Sequence, residues 1–246
     1  MKNIKVELLH ATPLWIAARA IRRSKGTEDK SDTEPLKNST KFNSNGKQST
    51  IIEIPEIGPK DRDLVHRVGC KFKHESVLEL VWFSLDIDGI SRSCLQEWSR
   101  TRIGFSQTVR SSRYTLQELK ETDSFNVGSS EKYDDRLYRA SKFIVITGDS
   151  DVDHMSLLAL ENLRLLISSG ISNDVSKYAL PESFRTSLTC SFNLRSLRHM
   201  LSLRTAKSAL PEYRHLAHLI YAAIPSEYHY LLEDCIIEPD PLGDSQ

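Results

Sequence analysis

Two segments with alternating apolar and polar residues constrain the fold most. In ELVWFSLDIDG, residues 79–89, the alternation begins at Phe83, and in SFRTSLTCSFN, residues 183–193, it begins at Phe184. A period of two residues is typical of a strand that buries one face. The pattern therefore predicts two half-buried strands, and we expect Gly89 to end the first of them.

Each of these segments is followed at once by apolar residues at helical spacing. After the first comes SRSCLQEWSRTR, where Ser91 is placed to cap a helix that buries Cys94, Leu95 and Trp98. After the second comes LRSLRHMLSLR, which Asn193 is placed to cap. The chain thus contains two strand-to-helix units, and arginines lie at or near both helices.

Helical spacing also occurs elsewhere in the chain. We predict helices in TPLWIAARAIRR, in DRDLVHRVGCKFKH up to about Gly69, in DVDHMSLLALENLRLLISSG up to Gly170, and from about Pro211 to Leu232. Strands and helices do not alternate regularly along the chain. The sequence therefore favours an α+β fold over a doubly wound parallel sheet.

One polar segment interrupts the pattern. Residues 24–50 contain a single Leu and a single Phe among Ser, Thr, Asn, Lys and Gly. Such a segment buries too little apolar surface to offset the entropy of ordering, so we expect a mobile surface insertion. No composition break divides the 246 residues convincingly, which predicts one domain spanning residues 1–246.

Charge and cysteine content limit the partners and the compartment. Lys and Arg number 33 and so do Asp and Glu, which argues against general affinity for nucleic acid or membranes. No run of about 18 apolar residues occurs, and the N-terminus lacks a signal-peptide core. The four cysteines form no CxxC pair, which argues against a zinc site and a disulfide framework. We expect a soluble cytoplasmic protein, in the host cytoplasm if a virus encodes it.

The segment EWSRTRIGFSQTVRSSRY is dense in arginine and poor in acidic residues. Guanidinium groups form paired hydrogen bonds with phosphates and carboxylates, and small hydroxyl residues between them add donors. Together with LRSLRHMLSLR, it suggests a ligand with more than one anionic group. The familiar phosphate-loop, dinucleotide, zinc-peptidase and serine-hydrolase motifs are absent from the sequence.

The residues alone leave other interpretations open. Four arginines within fourteen residues are also typical of a solvated or ion-paired surface, or of nucleic-acid binding. His74 and His199, taken singly, are equally consistent with structural or surface roles. Ser111 has no histidine and acid partners fixed by the sequence, so a catalytic triad is not indicated.

Longer motifs resemble a known family. The run GISRSCLQEWSRTRIGFSQTVRSSRYT is similar to the signature of the flavin-dependent thymidylate synthases (ThyX), which reads Arg-His-Arg, seven residues, Ser and then Arg-Tyr. RVGCKFKHESVLELVWFSLDIDGISR resembles the preceding family segment, and YALPESFRTSLTCSFNLRSLRHMLSLR resembles the second family motif. The resemblance covers roughly residues 60–223 and leaves out the polar insertion.

This resemblance implies a ThyX-like α+β fold, with a central, mostly antiparallel sheet flanked by helices and assembly into a homotetramer. It also implies the reductive methylation of dUMP to dTMP. The carbon donor would be 5,10-methylenetetrahydrofolate, and FAD reduced by NADPH would supply the hydride. The implied partners are these small molecules, without nucleic acid, membrane or metal.

The resemblance also assigns residues by position. The residues implied to contact dUMP are Glu97, Arg100, Arg110, Ser111, Ser112, Arg113, Lys177 and Arg204. The residues implied to contact FAD are His74, Ser76, Arg100, Thr101, Arg102, Asn193, Arg195 and His199. Arg204 is implied to be catalytic, because it would polarise the uracil ring and assist loss of the N3 proton.

The sequence departs from the family pattern in three places. Thr101 stands where the motif has His, and eight residues instead of seven separate Arg102 from Ser111. KSALPE replaces the usual Ser-His after the closing arginine. These departures keep two related hypotheses open: an enzyme that transfers a hydroxymethyl group to dUMP, and a non-catalytic relative that binds nucleotide or flavin.

Overall fold

The computed structural model describes residues 3–42, 48–125, 132–240 and 242, without the side chains of residues 37–42 and 48–53. Its strands are β1 (Lys5–Ala11), β2 (Lys37–Phe42), β3 (Gln48–Glu53), β4 (Trp82–Ser91), β5 (Phe105–Val109) and β6 (Arg185–Asn193). Its helices are α1 (Trp15–Lys25), α2 (Pro59–Val65), α3 (Arg92–Trp98), α4 (Ser112–Lys120), α5 (Tyr133–Ala140), α6 (Ser150–Ser168), α7 (Asn173–Ser176), α8 (Leu194–Arg204), α9 (Pro211–Ala223) and α10 (Ser226–His229).

A four-stranded antiparallel sheet in the order β1-β4-β6-β5 organises the fold. The two strands predicted from alternation, β4 and β6, are the central pair of this sheet. Those strand predictions and the α+β class, with an antiparallel sheet flanked by helices, are therefore confirmed. The edge strands β1 and β5 were not predicted from the sequence.

The expectation that Gly89 ends its strand is wrong. The register of β4 against β6 shifts between Asp88 and Ile90, and β4 continues to Ser91. Gly89 lies at this shift with φ +90°, where an added Cβ would lie 2.2 Å from a guanidinium nitrogen of Arg185. The glycine thus allows a bulge within the strand instead of stopping it.

The two faces of the sheet differ in polarity. One face buries apolar side chains such as Leu85 in the main core. On the opposite face the Ser84 and Ser191 hydroxyl oxygens are 2.8 Å apart, and the Thr189 hydroxyl donates to the Asp86 carboxylate at 2.5 Å. This alternation explains the two-residue period of both central strands.

Both predicted helix caps are confirmed at the ends of these strands. The Ser91 hydroxyl oxygen accepts from the Cys94 backbone N–H at 3.0 Å, and the Asn193 side-chain oxygen accepts from the Ser196 N–H at 2.9 Å. Because β4 and β6 are antiparallel, Ser91 and Asn193 lie at opposite ends of the pair. Helices α3 and α8 therefore start at opposite ends of the sheet, and their C-terminal ends approach each other.

A second apolar cluster lies among α4, α5 and α6. It contains Leu116, Leu119, Phe125, Ala140, Phe143, Ile144, Leu157, Leu160, Leu163, Ile167 and Phe184. The long helix predicted up to Gly170 is confirmed as α6. The side chain of its N-cap residue Asp149 accepts hydrogen bonds from the backbone N–H groups of Asp151 and Val152, at 3.1 Å each. Gly170 follows the helix with φ +93°.

Part of the predicted polar insertion, residues 43–47, lies outside the described residues. Around it, β2 and β3 pair as a two-stranded hairpin separate from the main sheet. Near the start of the insertion, Ser31, Thr33 and Arg22 donate hydrogen bonds to the buried Asp61 carboxylate at 2.5, 2.7 and 2.8 Å. The entry to the insertion is therefore held against α1 and α2, and the mobility of the rest stays a prediction.

The remaining predicted helices are present with adjusted bounds. Helix α1 is confirmed, and α9 and α10 occupy the predicted C-terminal helical region. The helix predicted to stop near Gly69 instead continues after α2 as a π-helical turn, His66–Lys71. A Cβ at Gly69 would lie 2.6 Å from Leu78, so the glycine allows close packing within the helix and does not end it.

Candidate active site

The two arginine-rich segments meet where α3 and α8 end. The Arg204 Nη1 atom donates to Glu97 Oε2 at 2.8 Å, although the two residues are 107 positions apart. Arg204 Nη2 also donates to the Glu97 backbone carbonyl at 3.3 Å, and Arg100 Nη1 donates to Glu97 Oε1 at 3.1 Å. We call Glu97, Arg100 and Arg204 the α3–α8 cluster.

Burial differs within the α3–α8 cluster. The Arg204 side chain is 17% exposed and Glu97 is 33% exposed, whereas Arg100 is 69% exposed. The guanidinium carbon of Arg204 lies 4.7 Å from the ring centroid of Tyr213, which is fully buried. Arg204 is therefore held from two sides, by a carboxylate and by an aromatic ring.

The charges of the α3–α8 cluster do not cancel. The hydrogen bond from Arg204, helped by Arg100, lowers the pKa of the Glu97 carboxyl against the opposing effect of desolvation. One carboxylate then faces two guanidinium groups at neutral pH. The cluster has a surplus positive charge that suits an anionic ligand or a ring that gains negative charge.

A short loop carries Thr101 and Arg102 from α3 to β5. The Ser196 hydroxyl donates to the Ile103 carbonyl at 2.5 Å, and the Asn193 N–H donates to the Gly104 carbonyl at 3.0 Å. The loop is thereby fixed to the first turn of α8. The exposed Arg102 side chain has no hydrogen-bond or ion-pair partner among the described residues.

Arg195, in the first turn of α8, is paired with two carboxylates. It donates to Glu75 Oε2 at 3.1 Å and to Glu79 Oε1 at 2.6 Å. Both acids lie on the 3₁₀ segment Glu75–Leu80, which also contains the exposed Ser76.

Two histidines belong to the same region of the surface. His74 is the residue that precedes the 3₁₀ segment, and His199 lies one turn beyond Arg195 on α8. Both side chains are exposed. This region therefore brings His74 and Ser76, from the segment before β4, close to Arg195 and His199 on α8.

A second cluster of charged residues joins α4 and α7. Arg113 donates two hydrogen bonds to Asp174, from Nε at 3.0 Å and from Nη2 at 2.9 Å. Lys177 Nζ lies 3.7 Å from Asp174 Oδ1, and the Asn173 side-chain amide donates to the Arg113 carbonyl at 3.1 Å. We call Arg113, Asp174 and Lys177 the α4–α7 cluster. Two cations that the family resemblance assigned to dUMP thus converge on one carboxylate.

The neighbouring predicted residues have different surroundings. Ser111 is the N-cap residue of α4 and makes no side-chain capping bond, and Ser112 is the first residue of the helix. Arg110 is paired instead with Glu118, from Nη2 to Oε1 at 2.8 Å. The start of α4 therefore presents hydroxyl groups and backbone N–H groups beside the Arg113 side chain.

Sequence reasoning missed the partners of the assigned cations. Asp174, Glu75 and Glu79 pair with Arg113, Lys177 and Arg195 and were not predicted. Asp174 lies three residues before Lys177, so a search for acids one helical turn from each cation would have found it. Tyr213 was visible only as part of an amphipathic helix.

The described residues contain neither a metal-binding cluster nor a membrane-spanning helix. No group of three or more His, Cys, Asp and Glu side chains could hold a metal ion in this part of the chain. Within the same residues, no helix is long and apolar enough to cross a membrane. The candidate site is therefore built from arginine, carboxylate, hydroxyl and aromatic groups.

Fold and site together define an α+β protein with clustered arginines at the ends of its helices. The model of the thymidylate synthase complementing protein family matches residues 7–227. The chain belongs to this family, as the sequence motifs predicted.

Two relatives and a solved structure support this membership. A flavin-dependent thymidylate synthase of Helicobacter pylori (strain J99) is 44% identical over 228 residues, which is 92% of this chain and 96% of the relative. One from Campylobacter jejuni (strain RM1221) is 46% identical over 179 residues, 73% of this chain and 83% of the relative. The crystal structure of Thymidylate Synthase X from Helicobacter pylori with FAD and dUMP superposes with a TM-score of 0.79 at 43% identity, covering 94% of this chain and 99% of that one.

Proposed function

We propose that this protein is a flavin-dependent thymidylate synthase. It converts dUMP, 5,10-methylenetetrahydrofolate, NADPH and a proton into dTMP, tetrahydrofolate and NADP⁺. The observation that carries the proposal is the contact between Glu97 and Arg204, because it joins the two separate sequence motifs at one point. The relatives that cover most of the chain have names that support the same reaction.

The α4–α7 cluster is proposed to hold the phosphate of dUMP. Asp174 presents two oxygens to Arg113 in the planar arrangement that a phosphate also offers to a guanidinium group. A nucleotide phosphate can therefore replace the carboxylate, and Lys177 adds a second positive charge. Ser111 and Ser112 supply hydroxyl and backbone donors at the start of α4, and Arg110 lies one residue earlier.

The α3–α8 cluster is proposed to act on the uracil ring. Arg204 would stabilise negative charge that develops on the ring as the N3 proton leaves, and this makes it the catalytic residue of the site. Its position on Tyr213 and Glu97 keeps the guanidinium in place before the substrate binds. Glu97 and Arg100 complete the side of the site that faces the base.

The residues around the start of α8 fit a bound FAD. His74, Ser76, Arg102 and His199 are exposed donors or cations in neighbouring segments, as a pyrophosphate group requires. Arg195 would exchange its carboxylate partners Glu75 and Glu79 for the pyrophosphate. Asn193 fixes the start of α8 through its cap. The Thr101 backbone N–H donates to the Trp98 carbonyl at 3.1 Å, where the loop that carries Arg102 begins. When bound, FAD reduced by NADPH supplies the hydride.

We propose that the chain is a single catalytic domain that assembles as a cytoplasmic homotetramer. No hydrogen bond or ion pair among the described residues joins the α3–α8 cluster to the α4–α7 cluster, which supports a site completed by another copy. Exposed apolar side chains on α6 support assembly, with Met155 at 64% and Val152 at 49%. The four free cysteines support a reducing compartment.

The test combines a flavin spectrum with tritium release. We expect purified protein to show a flavin absorbance spectrum and to release tritium from 5-tritiated dUMP only with NADPH and methylenetetrahydrofolate present. Mass analysis of the nucleotide should show an added methyl group, whereas a hydroxymethyl product would favour the related transferase. A protein that binds dUMP and FAD without releasing tritium would be the non-catalytic relative, and a colourless protein that gains no flavin would sink the proposal.

A further inference from the structure

Tyr213 lies directly beneath the guanidinium group of Arg204. The Arg204 guanidinium carbon is 4.7 Å from the Tyr213 ring centroid, within the range in which a cation is attracted to an aromatic face. The ring is fully buried, and the Arg204 side chain is 17% exposed. Partial desolvation of this kind strengthens the attraction between a cation and a ring.

The Tyr213 ring is itself fixed by its neighbours. The Trp98 ring centroid is 5.6 Å away, and Trp98 in turn contacts Phe105 at 5.5 Å between ring centroids. The adjacent Glu212 is buried and accepts hydrogen bonds from the backbone N–H and the hydroxyl of Ser91 at 2.7 and 2.5 Å. The start of α9 is thereby held to the start of α3, so the ring cannot shift without moving the core.

The hydroxyl group of Tyr213 contributes little to this arrangement. Its oxygen is buried and has no hydrogen-bond partner of normal geometry among the described residues. Burial raises the pKa of this hydroxyl, and the positive charge of Arg204 acts in the opposite direction. The phenol therefore stays neutral, and the aromatic face is the part of the side chain that meets the cation.

We infer that Tyr213 is the positioning residue for Arg204 and that its ring sets the guanidinium plane which the uracil ring meets. The expected change in kcat rests on the proposed function, whereas the position of Arg204 does not. The ring fixes one face of the guanidinium, and Glu97 fixes its edge through Nη1. Without the ring, Arg204 keeps its carboxylate partner and loses its fixed orientation.

The experiment compares three replacements of Tyr213 in the complete holoenzyme. Tyr213→Phe keeps the ring and removes the unpartnered hydroxyl, so kcat for tritium release and KM for dUMP should stay within about twofold of the wild type. Tyr213→Leu removes the aromatic face, and kcat should fall about tenfold with KM for dUMP little changed, as expected for losing a partly desolvated cation–π contact. Tyr213→Met is measured beside it, in case the branched side chain packs too poorly for folding.

A second measurement reads the position of Arg204 without using activity. Crystal structures of the wild type and the variants should show Arg204 ordered over the ring in the wild type and in Tyr213→Phe, and displaced in Tyr213→Leu and in Tyr213→Met. An unmoved Arg204 with full kcat in the ring-deleted variants would overturn the inference, as would a loss in Tyr213→Phe equal to that in Tyr213→Leu. If the wild type releases no tritium, the proposed reaction fails, while the crystallographic comparison still decides the positioning role.

Discussion

The α3–α8 cluster and the α4–α7 cluster use the same pairing of guanidinium and carboxylate in different surroundings. Arg204 is 17% exposed and lies on a buried ring, whereas Arg113 is 67% exposed and its partner Asp174 is 52% exposed. Exposed ion pairs contribute little stability and exchange partners easily. A half-buried pair on an aromatic ring keeps its geometry. The difference suggests that one cluster is preorganised for chemistry and the other for exchanging ligands.

The largest expected effect concerns the preorganised cluster. Arg204→Ala should lower kcat for tritium release by about a hundredfold or more, because a fixed charge that stabilises the reacting ring is lost. Arg23→Ala, at an exposed arginine near the end of α1 that pairs with Glu28, is the matched control and should leave kcat unchanged. Near-normal tritium release by Arg204→Ala would show that the α3–α8 cluster is not preorganised for the chemical step.

Gly104 tests whether the loop beside the α3–α8 cluster is rigid. It has φ +60°, and an added Cβ would lie 2.2 Å from the Asn193 side-chain nitrogen and 2.7 Å from Ser196 Oγ. Gly148 also has positive φ, at +91°, but an added Cβ there meets no atom within 4 Å. Gly104→Ala should therefore lower the free energy of unfolding by about 1–3 kcal/mol more than Gly148→Ala does, as overpacking typically costs.

Urea denaturation of both glycine variants measures this difference directly. If the two variants are equally stable, the loop can move away from α8. The contrast in rigidity between the two clusters would then be smaller than the structure indicates.

Asp174 tests whether the α4–α7 cluster exchanges its carboxylate for a ligand. Asp174→Asn removes the carboxylate that competes with a phosphate for Arg113 and Lys177, so KM for dUMP should fall about threefold, the size expected for an exposed charge pair. The control is Asp63→Asn, which breaks the comparably exposed pair with Arg67 on the surface. A rise in KM for dUMP would show instead that Asp174 orients Arg113 for binding.

The smallest effect is the pH dependence of the pair between Glu97 and Arg204. The pKa of Glu97 is below its ordinary value of 4.5 in the folded protein, chiefly because of Arg204. The stabilisation is therefore fully present above about pH 4.5 and is lost as pH falls through the lowered pKa. Glu97→Gln should be slightly less stable than the wild type at pH 7, and urea titrations should show the difference shrinking as pH falls from about 4.5 through the lowered pKa. A constant difference across this range would mean that ionisation of Glu97 is not involved.

The central strands and their caps could be predicted from the sequence because each depends on local patterns. The period of two in β4 and β6, and the caps Ser91 and Asn193, are encoded within a few neighbouring residues. The strand β5 was missed because it has five residues and lies inside the arginine-rich segment. Its pairing with β6 depends on residues far away in the chain.

Contacts between distant segments were also beyond the reach of local patterns. The bond between Arg113 and Asp174 spans 61 positions, and the contact between Arg204 and Tyr213 depends on how α8 and α9 pack. Motif resemblance named the cations, since motifs record residue types at fixed spacing. It gave no information on which carboxylate or ring each cation would meet.

The hydrogen bonds around Asp61 bring the two ends of the polar insertion together at the surface of the core. The chain leaves at Thr33 and returns at Gly58, whose backbone N–H donates to the Thr33 hydroxyl oxygen at 3.1 Å. Asp32 accepts from the backbone N–H groups of Lys60 and Asp61 at 2.7 and 3.0 Å. These hydrogen bonds hold the start and the end of the segment together. The entropy cost of closing a loop depends only weakly on the length of the loop. We therefore expect the β2–β3 hairpin between these anchors to accept a foreign peptide or reporter domain without disturbing either arginine cluster.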